Sequence, residues 1–136
     1  MTNLDRFVDA QASTYETALA ELRRGRKASH WMWFVFPQIQ GLGSSPTARF
    51  YAIADLAEAR AYLAHPLLGA RLREAVATIN ALPGHDAHAV FGSPDDLKLR
   101  SCLTLFQAAA PEEAGFGQAL DKYFGGAPDP RTLERV

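Results

Sequence analysis

Residues 93–110 read SPDDLKLRSCLTLFQAAA, and the fold turns on how this stretch is read. Ser93, Pro94, Asp95 and Asp96 make a helix start: serine as cap, proline where its missing N–H costs nothing, acids at the positive end of the helix dipole. From Leu97 onward, apolar residues fall on most sides of the helical wheel, which is the pattern of a helix enclosed by others. A central helix of this kind predicts an all-α architecture, provided the rest of the chain supplies helices to wrap it.

It does. Upstream, Leu4, Phe7, Val8, Ala12, Tyr15, Ala18, Leu19 and Leu22 recur on one helical face, predicting one long helix stopped at Gly25. Thr2 and Asp5 have the spacing of a capping box at its start. Gln11 falls on the apolar face, so its amide must be partnered, either by a neighbouring loop or by a ligand. Ser45-Pro46 opens a helix carrying Phe50, Tyr51 and Ile53, although "ARFYAI" is aromatic and β-branched enough for a strand. Asp55 and Glu58 open another, and His65-Pro66 ends it. The stripe of Leu68, Leu72, Ala75, Val76, Ile79 and Leu82 forms the next, up to Pro83-Gly84. "HDAHAVFG" is one helical turn. Beyond Pro111, Phe116, Leu120, Tyr123 and Phe124 line a helix closed by Gly125-Gly126, and Asp129-Pro130 starts a last turn. With 136 residues, no repeat and no long linker, the expectation is one domain, 1–136. Its fold class is a compact helical bundle, with room for one short extended segment at 31–36 or 48–53.

Composition excludes several function classes. Hydrophobic residues make up 48% and charged residues 21%, in the globular range. A formal charge of −1 gives no global field for a polyanion, so no nucleic-acid partner is expected. The basic run Arg23-Arg24-Gly25-Arg26-Lys27 is explained by the negative end of a helix. A single cysteine, Cys102, allows no internal disulfide and no thiolate zinc site. His85 and His88 lack a third ligand, so neither a metal nor another cofactor is expected. No leader pattern or membrane-length apolar run is present, which predicts a cytoplasmic protein without a membrane partner.

The unusual segment is 29–38, SHWMWFVFPQ, which holds both tryptophans. As a strand it would place Trp31, Trp33 and Val35 opposite Met32, Phe34 and Phe36. As a helix it would group Trp31, Phe34 and Val35. Either way its area belongs largely inside, while His30 and Gln38 at its ends need partners. The glycine-rich run from Gly41 to Pro46 can present backbone amides to an anion, but it lacks the Walker and dinucleotide signatures. Lys98 lies one turn before Cys102; if it cannot reach solvent, it offers fixed positive charge to an anionic substrate.

The blocks "DRFVDAQ" (5–11), "HWMWFVFPQIQGLG" (30–43), "YLAHPLLGARL" (62–72), "VFGSPDDLKLRSCLTLF" (90–106) and "LDKYFGGAPDPRTLERV" (120–136) resemble the bacterial domain of unknown function 1810. The resemblance spans essentially the whole chain. It implies a helical single domain of bacterial origin and brings no assigned activity. Some members bear the name calpastatin, but this chain has nothing of a disordered protease inhibitor. At the motif positions, the polar residues are Asp5, Gln11, Tyr15, His30, Gln38, Ser44, Ser45, Tyr51, His65, Lys98 and Ser101.

From these residues the expected site is a pocket between the first helix, the aromatic block and the Lys98 helix. Gln11, His30 and Gln38 should converge on one hollow. Trp31 and Trp33 would form its walls, and Gln11, Tyr15, Gln38, Tyr51 and Ser101 would orient a ligand. Ser44, Ser45 and Lys98 would receive its anionic group. Such a ligand is nucleotide-like, of the ADP-ribose kind, and His30 or Asp5 would be the general base of any hydrolysis. The alternative is a protein-interaction module with exposed aromatics, predicting a convex apolar patch and a homo-oligomer.

Overall fold

The computed structural model describes residues 3–136. The described residues form ten helices: α1 (Asp5–Ala12), α2 (Tyr15–Arg24), α3 (Met32–Val35), α4 (Pro46–Phe50), α5 (Leu56–Ala64), α6 (Leu68–Ala81), α7 (Ala87–Phe91), α8 (Asp95–Ala109), α9 (Ala114–Phe124) and α10 (Pro130–Leu133). The all-α expectation holds. Neither 31–36 nor 48–53 is a strand among the described residues; the extended pairing present is a single parallel bridge between Ile39 and Ile53.

α8 is the central helix. Leu99, Cys102, Leu103, Leu105 and Phe106 are fully buried, and Ser101 and Thr104 are nearly so. α5, α7, α9 and α10 pack around it, while α6 joins α2, α5 and α9. A row of rings ties four helices together: Phe7 meets Tyr62 edge-on at 5.1 Å, Tyr62 meets Phe106 at 5.5 Å, and Phe106 stacks on Phe116 at 5.9 Å. Aromatic contacts of this geometry add to what burial alone contributes.

Local signals account for most helix ends. Ser45 and Asp55 accept from the backbone N–H groups of Ala48 and Glu58, and Asp129 accepts from that of Thr132. Each such cap is worth about 1 kcal/mol. His65 Nδ1 accepts from the Leu67 and Leu68 amides, so the imidazole caps the junction between α5 and α6. Gly25 ends α2 in the left-handed conformation, with φ of 76°.

Two expectations need correction. The first segment is two helices, because Ser13 and Thr14 leave the helical path with φ of −109° and −122°. Short hydroxylated residues readily favour such breaks over helix interior. α8 begins at Asp95 with Pro94 in the capping position, and no side chain caps it, so Ser93 does not act as the cap. The Asp5 backbone N–H donates to Asn3 Oδ1 at 2.9 Å. The Thr2 half of the expected capping box lies outside the described residues.

Candidate functional site

The aromatic segment divides its residues between two environments. A single turn of helix, α3, follows Trp31 and sends the two indoles in different directions. Trp31 is fully buried, and its indole N–H donates to Glu21 Oε1 at 2.9 Å. The same carboxylate accepts from the backbone N–H groups of Ala28 and Ser29 at 2.7 and 2.9 Å, and the Ser29 hydroxyl donates to its other oxygen. Desolvation alone would raise the Glu21 pKa, but these hydrogen bonds outweigh it and hold the group at about 2.

Trp33, two residues on, is only partly buried and lines a cleft of about 620 Å³. The cleft is walled by α3, the 38–44 loop, α4, α8 and the C-terminal residues. Met32, Trp33, Ile39 and Tyr51 form its apolar surface, Gln38, Gln40 and Ser44 its neutral polar surface, and Arg49, Lys98 and Arg135 its charge. No Asp, Glu, His or Cys is among its described lining residues.

Each cation is placed by the fold. Lys98, on α8, holds its ammonium 4.9 Å from the Trp33 ring centre and 3.5 Å from Asp95 Oδ1. Asp95 is shared, since its other oxygen pairs with Lys27 at 2.9 Å, and Lys27 in turn sits 5.0 Å from the Trp31 ring centre. Among the described residues, Lys98 therefore shares its one carboxylate partner with Lys27. Arg135 reaches across the 38–44 loop and lies against Gly41, where a Cβ would collide with its guanidinium. Gly41 also has φ of 96°, which other residues rarely adopt. Arg135 is carried there by a buried polar knot that anchors α10: Asp129 Oδ2 accepts from Thr132 Oγ1 at 2.6 Å and from Ser101 Oγ at 3.2 Å, and Thr104 Oγ1 accepts from Asp129 N at 2.9 Å. Among the described residues, neither Arg49 nor Arg135 forms a side-chain hydrogen bond or ion pair.

Five expected site residues come together here: Trp33, Gln38, Ser44, Tyr51 and Lys98. The others are placed elsewhere, each for a visible reason. Gln11 is 1% exposed; its Nε2 donates to the Phe34 carbonyl at 2.7 Å and to Tyr62 Oη at 3.1 Å, which is the structural reading of that amide. Tyr15 Oη lies 2.6 Å from Glu74 Oε1 and 3.0 Å from the Arg71 carbonyl, and burial followed by the Glu74 hydrogen bond raises its pKa. Trp31 is core. Ser45 is a helix cap, and Ser101 belongs to the α10 knot. His30 and Asp5 are exposed and lie outside the cleft. Gln11, His30 and Gln38 thus share no hollow.

Sequence reasoning passed over Arg49, Arg135, Gln40 and Met32. Arg49 lies in the last turn of a five-residue helix, where the helix dipole alone favours a cation and gives no sign of a site. Arg135 had no local signal at all. Gln40 had one, since it shares the QIQ triplet with Gln38 and the intervening Ile39 sets the two amides on one side of an extended run.

The fold and cleft define a class: an all-α protein with a cationic, aromatic-edged cleft beside its central helix. The family model described as "Protein of unknown function (DUF1810)" matches residues 1–136, and the chain belongs to that family. It is similar to the conserved hypothetical protein Rv1873 from Mycobacterium tuberculosis. That crystal structure superposes with a TM-score of 0.96 at 52% identity, over 98% of this chain and 95% of the other. No curated protein matches the chain.

Proposed function

We propose that the cleft binds a small anionic, nucleotide-like ligand. The observation that carries this reading is that Arg49, Lys98 and Arg135 line one concavity that has no carboxylate in its described lining. Lys98 has Asp95 as a counter-ion, shared with Lys27, whereas Arg49 and Arg135 have no ion-pair partner among the described residues, and like charges held this close cost stability that an entering anion recovers. A phosphate or diphosphate suits two guanidinium forks and an ammonium. Trp33 and Tyr51 offer apolar walls for a planar group, and Gln38 and Gln40 offer amides that discriminate its edge.

The reading is one of binding. Hydrolysis with His30 or Asp5 as base required those side chains to reach the ligand, and both lie outside the cleft. Calorimetric titration with ADP-ribose, ADP, inorganic pyrophosphate and adenosine tests it. The charged compounds should bind, with adenosine about tenfold weaker or silent, and Arg49→Gln or Arg135→Gln should each weaken the charged compounds about tenfold. Absence of heat with all three charged compounds would remove the proposal.

A further inference from the structure

α4 reaches the cleft without an anchor in the core. It carries Arg49 and leads into Tyr51 and Ala52, all of which line the cleft, yet none of its own five residues is buried. A helix of that length is not stable by itself in water. Its start is fixed by the Ser45 cap. Beyond its end, Ile53 N–H donates to the Gln38 carbonyl at 2.8 Å, and the Ile53 carbonyl accepts from Gln40 N–H at 2.8 Å. Between those points the Tyr51 ring rests against Phe34 at 5.3 Å, and the backbone on either side of it is held by α1. Arg6 donates from Nε to the Phe50 carbonyl at 2.8 Å and from Nη2 to the Ala52 carbonyl at 2.9 Å, so its fork grips the chain before and after Tyr51.

Arg6 is itself fixed. Its Nη2 pairs with Glu58 Oε1 at 3.1 Å, its Nη1 donates to the Asn3 carbonyl at 2.5 Å, and its guanidinium lies 4.4 Å from the Phe7 ring centre. Glu58 Oε1 is anchored in turn by the Ala54 N–H at 2.9 Å. The Phe50 carbonyl also stands at the negative end of α4, where a cation is favoured. Arg6 does not line the cleft. We infer that Arg6 is a positioning residue for ligand binding: its clamp on the Phe50 and Ala52 carbonyls pre-sets the wall that presents Arg49 and Tyr51 to the anion. The inference rests on the anion-binding reading above and adds the residue that pre-organises that site. A wall set before the ligand arrives costs little to order on binding, whereas a loosened wall must be fixed at the expense of affinity. Gln11, on the same helix, is the natural contrast, since its amide nitrogen is bound to Phe34 and Tyr62 in the core.

Arg6→Gln removes the clamp, and Arg6→Lys keeps the charge on a point-like ammonium that lacks the fork needed to span two carbonyls. Amide hydrogen exchange at Tyr51 and Ala52 should be at least about fivefold faster in Arg6→Gln than in the unsubstituted protein. In calorimetric titrations with ADP, ADP-ribose and pyrophosphate, each compound that binds the unsubstituted protein should bind Arg6→Gln about tenfold and Arg6→Lys about threefold more weakly. Gln11→Ala, which loses stability from the same helix, should leave affinity unchanged. Circular dichroism establishes that each variant is folded, and Arg6→Lys carries the test if Arg6→Gln does not fold. Undiminished affinity in the folded Arg6 variants would overturn the inference and leave the anion-binding proposal standing, as would unchanged exchange at Tyr51 and Ala52. A loss in Gln11→Ala as large as that in Arg6→Gln would also overturn it, because affinity would then follow stability alone. Silence of the unsubstituted protein toward all three compounds would remove both.

Discussion

Trp31 and Trp33 share a turn of chain and live by different rules. Trp31 has every need met inside the protein: its ring is fully buried and its N–H is bound to a carboxylate that four donors stabilise. Trp33 faces a cleft whose arginines have no side-chain partner among the described residues. Each ring carries a lysine, and Asp95 joins the two lysines, so the neighbourhoods are built from the same parts. What separates them is closure. A polar group that is buried and satisfied holds a fold together, whereas charge left open beside an aromatic wall is available to something outside.

The contrast can be broken by substitution. Trp31→Ala should cost about 3–5 kcal/mol in urea unfolding, through lost burial and the loss of one of the four donors to the Glu21 carboxylate, whereas Trp33→Ala should cost about 1–2 kcal/mol. Equal losses would erase the distinction. Acid sharpens it next. Glu21 stays ionised in the folded protein down to about pH 2, so its contribution is complete above the ordinary carboxylate range and is lost as the pH falls toward 2. That contribution amounts to roughly 3 kcal/mol. A Glu21→Gln variant, less stable at neutral pH, should lose correspondingly less between pH 5 and pH 2 (about that window by the same linkage). Gln11→Ala should cost about 1–3 kcal/mol by removing the shorter hydrogen bond to the Phe34 carbonyl and the donor to the Tyr62 hydroxyl, and should leave ADP affinity unchanged. The smallest effect on stability belongs to the cleft. Arg49→Gln/Arg135→Gln should shift unfolding by no more than about 0.5 kcal/mol while weakening ADP at least about tenfold.

Much of the fold was legible because its signals are local. Asp55, Asp129 and Ser45 announce helix starts by chemistry that acts within one turn, and α8 announces its central place by being apolar on most sides. Ser13-Thr14 was missed because the apolar stripe runs on through it, and periodicity is blind to a break that preserves phase. The 29–38 block could not be settled from its own residues: α3 is too short for a period to show, so strand and helix group its rings equally well. The site was legible where a polar residue adjoined the aromatic block or the central helix, as with Gln38 and Lys98. It was illegible where tertiary structure alone brings a residue in. Arg135 reaches Gly41 only because Asp129, Thr132, Ser101 and Thr104 pin α10 to α8, and Gln11 turns inward to Phe34 instead of toward the cleft.

The two indole N–H groups give separate signals in a nitrogen–proton correlation spectrum, and titrating ADP while following them tests the central claim most directly. The Trp33 signal should move with saturation while the Trp31 signal, locked to Glu21, stays in place. A spectrum in which neither moves, or in which Trp31 moves and Trp33 does not, would contradict it.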